Sequence, residues 1–423
     1  MKSENRFDAP PHPESVRTTT ELDRPTAVHV LRRLCFGAAP QDVERFVGES
    51  VADAVEQLVE GARSTEPDPA ITLLLPTGEL GYVQSWWCEQ MLGTPEGRCA
   101  ERVALMWHGH FAASNDKVDD VHLMHGQYRL WRERGLGDFR QLLQAALRDP
   151  ALLVWLDGVD NVKGRPNENL ARELMELFAL GIGNYTEADV LEAARGLSGW
   201  RVVKRAARFT PSRHDGGAKT VLGTTGELDT NGVVAAVLAR PACPRWIADR
   251  LWRTFVGRAP TAGDLEATAK ELIAANWDIG RTLVWLATRP AFLATDERGT
   301  RIAGPIELVV RATLETGARL APKELAESAT HMGQALLRPP SVKGWDGGRQ
   351  WLDSTAWIAR QRFAGRVAEV LGDGDDFDPF ERLLPEDPRP SWRVAVERIA
   401  QDSESPRRTL VAAVLASAEY QLQ

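Results

Sequence analysis

Apolar residues recur three and four positions apart along most of the chain, the spacing of a helix with one buried face. TAVHVLRRLCFG closes on Gly37, a residue suited to the position after a helix, and Pro40 opens QDVERFVG, with VADAVEQLVEG behind it. STEPDPAITLLLPTG at 64–78 reads as a loop. Helices are predicted at 79–92 and 95–108, the second started by Thr94 as N-cap and Pro95 as first helical residue. The pattern continues through DVHLMHGQYRLWRERG, DFRQLLQAALRD and 167–200, where Thr186 and Asp189 approximate a capping box. It resumes at 230–240, 244–256, 263–275, 278–289, 305–318, 322–337, 353–371, 389–401 and 406–420. Only 201–225 departs, with short β-prone pieces around a glycine-rich turn, and predicts a small β-hairpin or extended excursion. The expected fold is therefore mostly α, a multi-helix globular bundle. Residues 1–24 are polar and proline-bearing and are expected to be flexible; 25–423 form the helical domain, with a possible internal seam near 201–230.

Composition narrows the function classes. The chain has 423 residues, 43% hydrophobic, enough for a large core. A net charge of −8 with dispersed basic residues argues against a nucleic-acid partner. Cys35, Cys88, Cys99 and Cys243 form neither a C-x-x-C pair nor a zinc-ribbon spacing, so reduced, buried thiols are expected. There is no apolar signal region and no membrane-length apolar stretch, so the expected location is cytoplasmic, with no membrane partner. Several of the fourteen tryptophans sit in helical patterns, where core packing is the ordinary explanation.

Three segments hold residues suited to chemistry. His108 and His110 flank Gly109 in WHGHF; imidazoles beside carboxylates are how N/O metal sites are built, and Gly109 would loosen the helix end and let both rings turn inward. His122 and His125 share one helical face and read more simply as a polar surface stripe. In NENLARELMEL, a turn of about 100° per residue puts Leu170, Leu174, Leu177 and Phe178 on the core face and Glu173 at its edge. A carboxylate there needs a cation, a metal or donors. Glu176 and Asn169 share its flank, which suits a bound cation or an acid/base pair, while a salt-bridge network with Arg172, Arg195 or Arg102 is the structural alternative. In RHDGGAKTVLG, His214 and Asp215 precede two glycines, where a His–Asp pair can ligate a metal or act as base and orienter; Lys219 offers positive charge to an anion. G-x-S-x-G, Walker A, nucleotide or flavin fingerprints, H-E-x-x-H and paired E-x-x-H motifs are absent.

Taken together, HVLRRLCFGAAPQDV, RVALMWHGHFAAS, PNENLARELMELFALGIGNYTEADVLEAARGLSGW, RHDGGAKTVLG, PACPRWIADRLWRTFV and PPSVKGWDGGRQW resemble the bacterial family catalogued as domain of unknown function 1800, over about residues 26–365. The family's motif positions correspond here to Trp107, His108, His110, Asn167, Glu168, Arg172, Glu173, Glu176, Tyr185, Arg195, Trp200, His214, Asp215, Lys219, Lys343, Gly344 and Trp345. The resemblance implies an association with a sulfatase-like partner encoded nearby and, commonly, export, for which this sequence shows no signal.

These readings lead to an expected metal-dependent enzyme acting on a small substrate, with an anionic one among the classes expected. His108, His110, Glu173 and His214 would hold Zn, Mn or Fe, with Glu176, Asp215, Arg172, Arg195 and Lys219 as catalytic groups. Two alternatives stand beside it: a metal-free acid/base or ligand-binding site, and a non-catalytic helical partner or maturation protein.

Overall fold

The computed structural model describes residues 20–372, 377–384 and 388–423. The proposed flexible segment lies outside the described residues up to position 19. Its last residues are anchored: Glu21 pairs with Ser50 in an isolated bridge, Leu22 is buried, and the Asp23 side chain caps the helix Arg24–Cys35.

The architecture is mostly α. One contiguous set of buried apolar residues runs from Leu22 to Tyr420. At its centre lies the helix Pro95–His110, packed on Arg24–Cys35, Val51–Ser64 and Val121–Arg134. It buries fourteen of its sixteen residues, so every charged group in it must find a partner inside the protein. Arg98 pairs with Asp42, and Arg102 reaches Glu307 at 2.6 Å. Glu101 accepts hydrogen bonds from Trp87 Nε1 (2.8 Å), Tyr128 OH (2.9 Å) and Arg132 Nε (2.8 Å). This network explains several sequence features that periodicity could not. Trp87 and Tyr128 are core residues whose polar tips all converge on one carboxylate. His125, expected on a surface stripe, is instead buried, stacked on Tyr128 and edge-on to Trp86; burial pushes its pKa down to about 4.

The 201–225 region forms two antiparallel hairpins rather than one. Trp200–Val203 pairs with Ala206–Phe209, and Lys219–Val221 with Thr224–Gly226. Both close on two residues with positive φ, Lys204–Arg205 and Leu222–Gly223, the backbone sense that matches strand twist in tight hairpins. The expected loop at 64–78 contains short turns of helix at Ile71–Leu74 and Leu75–Thr77. The helix predicted over 322–337 stops at His331, and Leu337 sits at φ 61 before two prolines. That early stop frees residues 332–345 as a loop, which matters for the site.

Candidate functional site

Helix Pro95–His110 continues through Gly109, so the glycine does not loosen it, and both histidines are buried. His110 Nε2 lies 2.9 Å from the Phe178 carbonyl, which can only accept, so Nε2 carries the proton. Arg250 Nε then donates to His110 Nδ1 at 3.1 Å. Burial first, and the Arg250 cation second, hold the imidazole neutral, with its pKa well below the usual value. His108 Nε2 accepts the Leu337 backbone N–H at 3.1 Å, and its ring meets Trp87 and Trp345 edge-on. Burial lowers its pKa to about 3.

What His110 satisfies is the end of the acidic helix. Asn169–Glu173 is α-helical, but Leu174–Ala179 widens into a π-helical turn, closed by Leu180 N–H on the Met175 carbonyl. Carbonyls at a helix end lack intrahelical donors. His110 supplies one for Phe178, and Trp246 Nε1 supplies one for Leu177 at 2.8 Å. The wider turn also shifts the angular phase assumed from sequence, which is why Leu177 is only half-buried while Leu174 and Phe178 are fully buried. π-turns are uncommon and occur often at working sites.

Glu173 sits at the junction of the two helix types, half-buried. Among the described residues no donor hydrogen-bonds to its carboxylate. Burial first, then the neighbouring Glu176 charge, raise its pKa; Arg172 and Lys343 act in the opposite sense. Glu176 accepts from Tyr185 OH at 2.9 Å. Arg172 points its pairing elsewhere, to Glu187 (2.6 Å) and Glu168 (3.0 Å). Asn169 is likewise committed to Asp157, at 3.0 Å.

Lys343 arrives on the loop that follows helix Pro322–His331, and Gln84, Asn115 and His108 of WHGHF together hold that loop in place. Gln84 Nε2 donates to the Leu336 carbonyl at 2.6 Å, Asn115 N–H to the Leu337 carbonyl at 2.9 Å, and Leu337 N–H to His108. Gly344, at φ 76, lies so close to Gly109 that a Cβ there would stand 2.4 Å from the Gly109 carbonyl oxygen. Only glycine meets both demands. The central helix end, the π-turn and the 336–345 loop thus meet in one place.

The third sequence segment forms its own cluster. Asp215 accepts from Arg195 Nε at 2.8 Å, which brings its pKa down to about 2. Arg195 also pairs with Glu192 at 2.9 Å. His214 Nδ1 lies 3.0 Å from the Ser198 carbonyl, and the buried Lys219 donates to the Gly217 carbonyl at 2.7 Å. These partners are local, and they brace the second hairpin against helix Glu187–Gly196. Asn161 joins this cluster to the start of the acidic helix: its Oδ1 accepts from Asn167 N–H at 3.1 Å and its Nδ2 donates to the Ala194 carbonyl at 2.7 Å.

A family model described as "Protein of unknown function (DUF1800)" matches residues 29–422. The chain belongs to the DUF1800 family. Neither the curated proteins nor the solved structures contain a match. The match extends past residue 365, so the C-terminal helices belong to the DUF1800 unit as well.

The four residues expected to hold a metal do not converge into a ligand set. Both His110 nitrogens are engaged, His108 Nε2 is an acceptor for a backbone amide, and His214 Nδ1 is held at the Ser198 carbonyl. Among the described residues, no three His, Cys, Asp or Glu side chains group closely enough to hold an ion. Of the expected catalytic residues, Glu176 stands beside Glu173, whereas Asp215, Arg195 and Lys219 stay in the separate cluster and Arg172 is turned to Glu168 and Glu187. Arg250, Trp246 and Leu337 were not visible as site residues. Each acts through a backbone group or an imidazole that only the fold brings near. No helix among the described residues is long and apolar enough to cross a membrane.

Proposed function

We propose that this DUF1800 protein is an enzyme that works by acid/base chemistry at Glu173 on a small-molecule substrate. The observation that carries the reading is a half-buried carboxylate, seated on a π-turn, to which no described side chain or amide donates. A carboxylate in a partly apolar setting beside a second carboxylate is biased to keep its proton, the bias a general acid needs to deliver and recover one. Glu176, which accepts a hydrogen bond from Tyr185, is the neighbouring carboxylate, and Lys343 places a positive charge in reach of a substrate oxygen. The histidines of WHGHF keep this arrangement in shape and do not touch the reaction.

The test is turnover of a cell-extract metabolite mixture by purified full-length protein, followed by mass spectrometry with and without chelator. The reading expects at least one metabolite to be consumed, chelator to leave that loss unchanged, and Glu173→Gln to abolish it. Turnover that chelator stops and added Zn, Mn or Fe restores would overturn it, as would a fully active Glu173→Gln variant.

A further inference from the structure

Beyond Lys343 the same loop enters an open groove of about 490 Å³, with Trp345, Trp351, Asp346, Gln350 and Asp353 in its walls. At His331 and Thr355 it meets a second groove of about 470 Å³ between helices Pro322–His331 and Ser354–Leu371, walled in part by Ser328 and Arg362. Each has the size of a small-molecule site.

We propose that this paired groove binds a neutral, polyhydroxylated carbohydrate chain. The proposal goes beyond the reading of Glu173 and stands without it. Charge decides the ligand class. The tryptophan end carries two carboxylates and no Lys or Arg in its described lining. Asp353 caps the following helix through the Ala356 amide at 2.8 Å, while Asp346 has no hydrogen bond or ion pair among the described residues. An anion is repelled there. The other end presents the exposed Arg362, with no ion pair among the described residues, which disfavours an extended cation; Arg366 beside it is already paired with Glu324 and Glu369. A neutral chain of hydroxyls suits both ends, because a hydroxyl donates to a carboxylate and accepts from a guanidinium.

Shape and surface chemistry agree. Two half-buried indoles offer broad, rigid apolar surface with little side-chain entropy to lose, which matches the C–H faces of pyranose rings. Gln350 and Asp346 are exposed and provide hydrogen-bonding groups for ring hydroxyls. Two open grooves that join at His331 and Thr355 accommodate several linked rings rather than one enclosed head group.

Calorimetric titration of the full chain with cellotetraose, xylotetraose and mannotetraose tests this, with citrate and spermidine as charged comparators. At least one tetrasaccharide should bind saturably, with Kd in the roughly micromolar to millimolar range. Asp346→Ala and Gln350→Ala, both at exposed side chains, should each weaken it by about tenfold at unchanged melting temperature. No saturable binding by any tetrasaccharide overturns the proposal, as does sugar binding that both variants retain in full. Tighter binding of citrate or spermidine than of every sugar also overturns it, and assigns the groove to a charged ligand.

Discussion

The end of the central helix and the π-turn it supports hold polar side chains of similar appearance in very different states. His110 is buried with both ring nitrogens engaged, one to Phe178 and one to Arg250. Glu173 is half-buried and, among the described residues, accepts no hydrogen bond at all. A buried polar group whose bonding capacity is fully used explains itself as structure. One that burial has made costly, and that the fold leaves without a donor, needs another explanation. Polar content alone does not distinguish the two; the accounting of donors and acceptors does.

The comparison breaks if the histidine end proves dispensable to the fold or the glutamate proves essential to it. The largest effect is expected for Glu101→Leu, which leaves the buried Arg132 charge with only the Ala62 and Thr65 carbonyls and takes the acceptor from Trp87 and Tyr128. Unfolding in urea should show a loss of about 4 kcal/mol. His110→Leu leaves the Phe178 carbonyl without a donor and Arg250 Nε without an acceptor, and the same measurement should show a loss of about 2–3 kcal/mol. Gly344→Ala must fit a Cβ against the Gly109 carbonyl at positive φ. It should cost about 1–2 kcal/mol and also reduce turnover, since it displaces the loop that carries Lys343.

Glu173→Gln should be the mildest, within about 0.5 kcal/mol of wild type at neutral pH. Its signature is the pH dependence. The folded pKa lies above the unfolded value of about 4.3, so the folded state holds the proton more tightly. That stabilisation is fully present below about pH 4.3 and is lost as pH rises through the folded pKa. Wild type should therefore lose stability relative to Glu173→Gln across that window, by under about 1 kcal/mol because solvent screens a half-exposed group. A Glu173→Gln loss as large as that of His110→Leu would erase the distinction between the two regions.

Much of the helical architecture was legible in the sequence because capping residues and apolar spacing act locally. Thr94 does cap its helix, and Thr186 with Asp189 does form a capping box. Glu173 was legible for a related reason: a charged residue at the edge of an apolar stripe is conspicuous in one dimension. The partners of WHGHF were not. Phe178, Arg250 and Leu337 lie 68 to 229 residues from the histidines they touch, and two of them act through backbone atoms that every residue type has. The π-turn was equally hidden, because a single added residue per turn leaves the local apolar pattern almost helical. The separation of His214 and Asp215 from the other two segments follows from Arg195 and Ser198, which bind the pair locally.

The central claim is that burial and the Glu176 charge raise the pKa of Glu173 above that of a free glutamate. Titration of glutamate side-chain carboxyl carbons by nuclear magnetic resonance, with the Glu173 signal assigned by its loss in Glu173→Gln, measures this directly. The expected result is a Glu173 midpoint above about 4.3 that falls towards that value in Glu176→Gln. A midpoint at or below about 4.3 in the wild type, unmoved by Glu176→Gln, would contradict it.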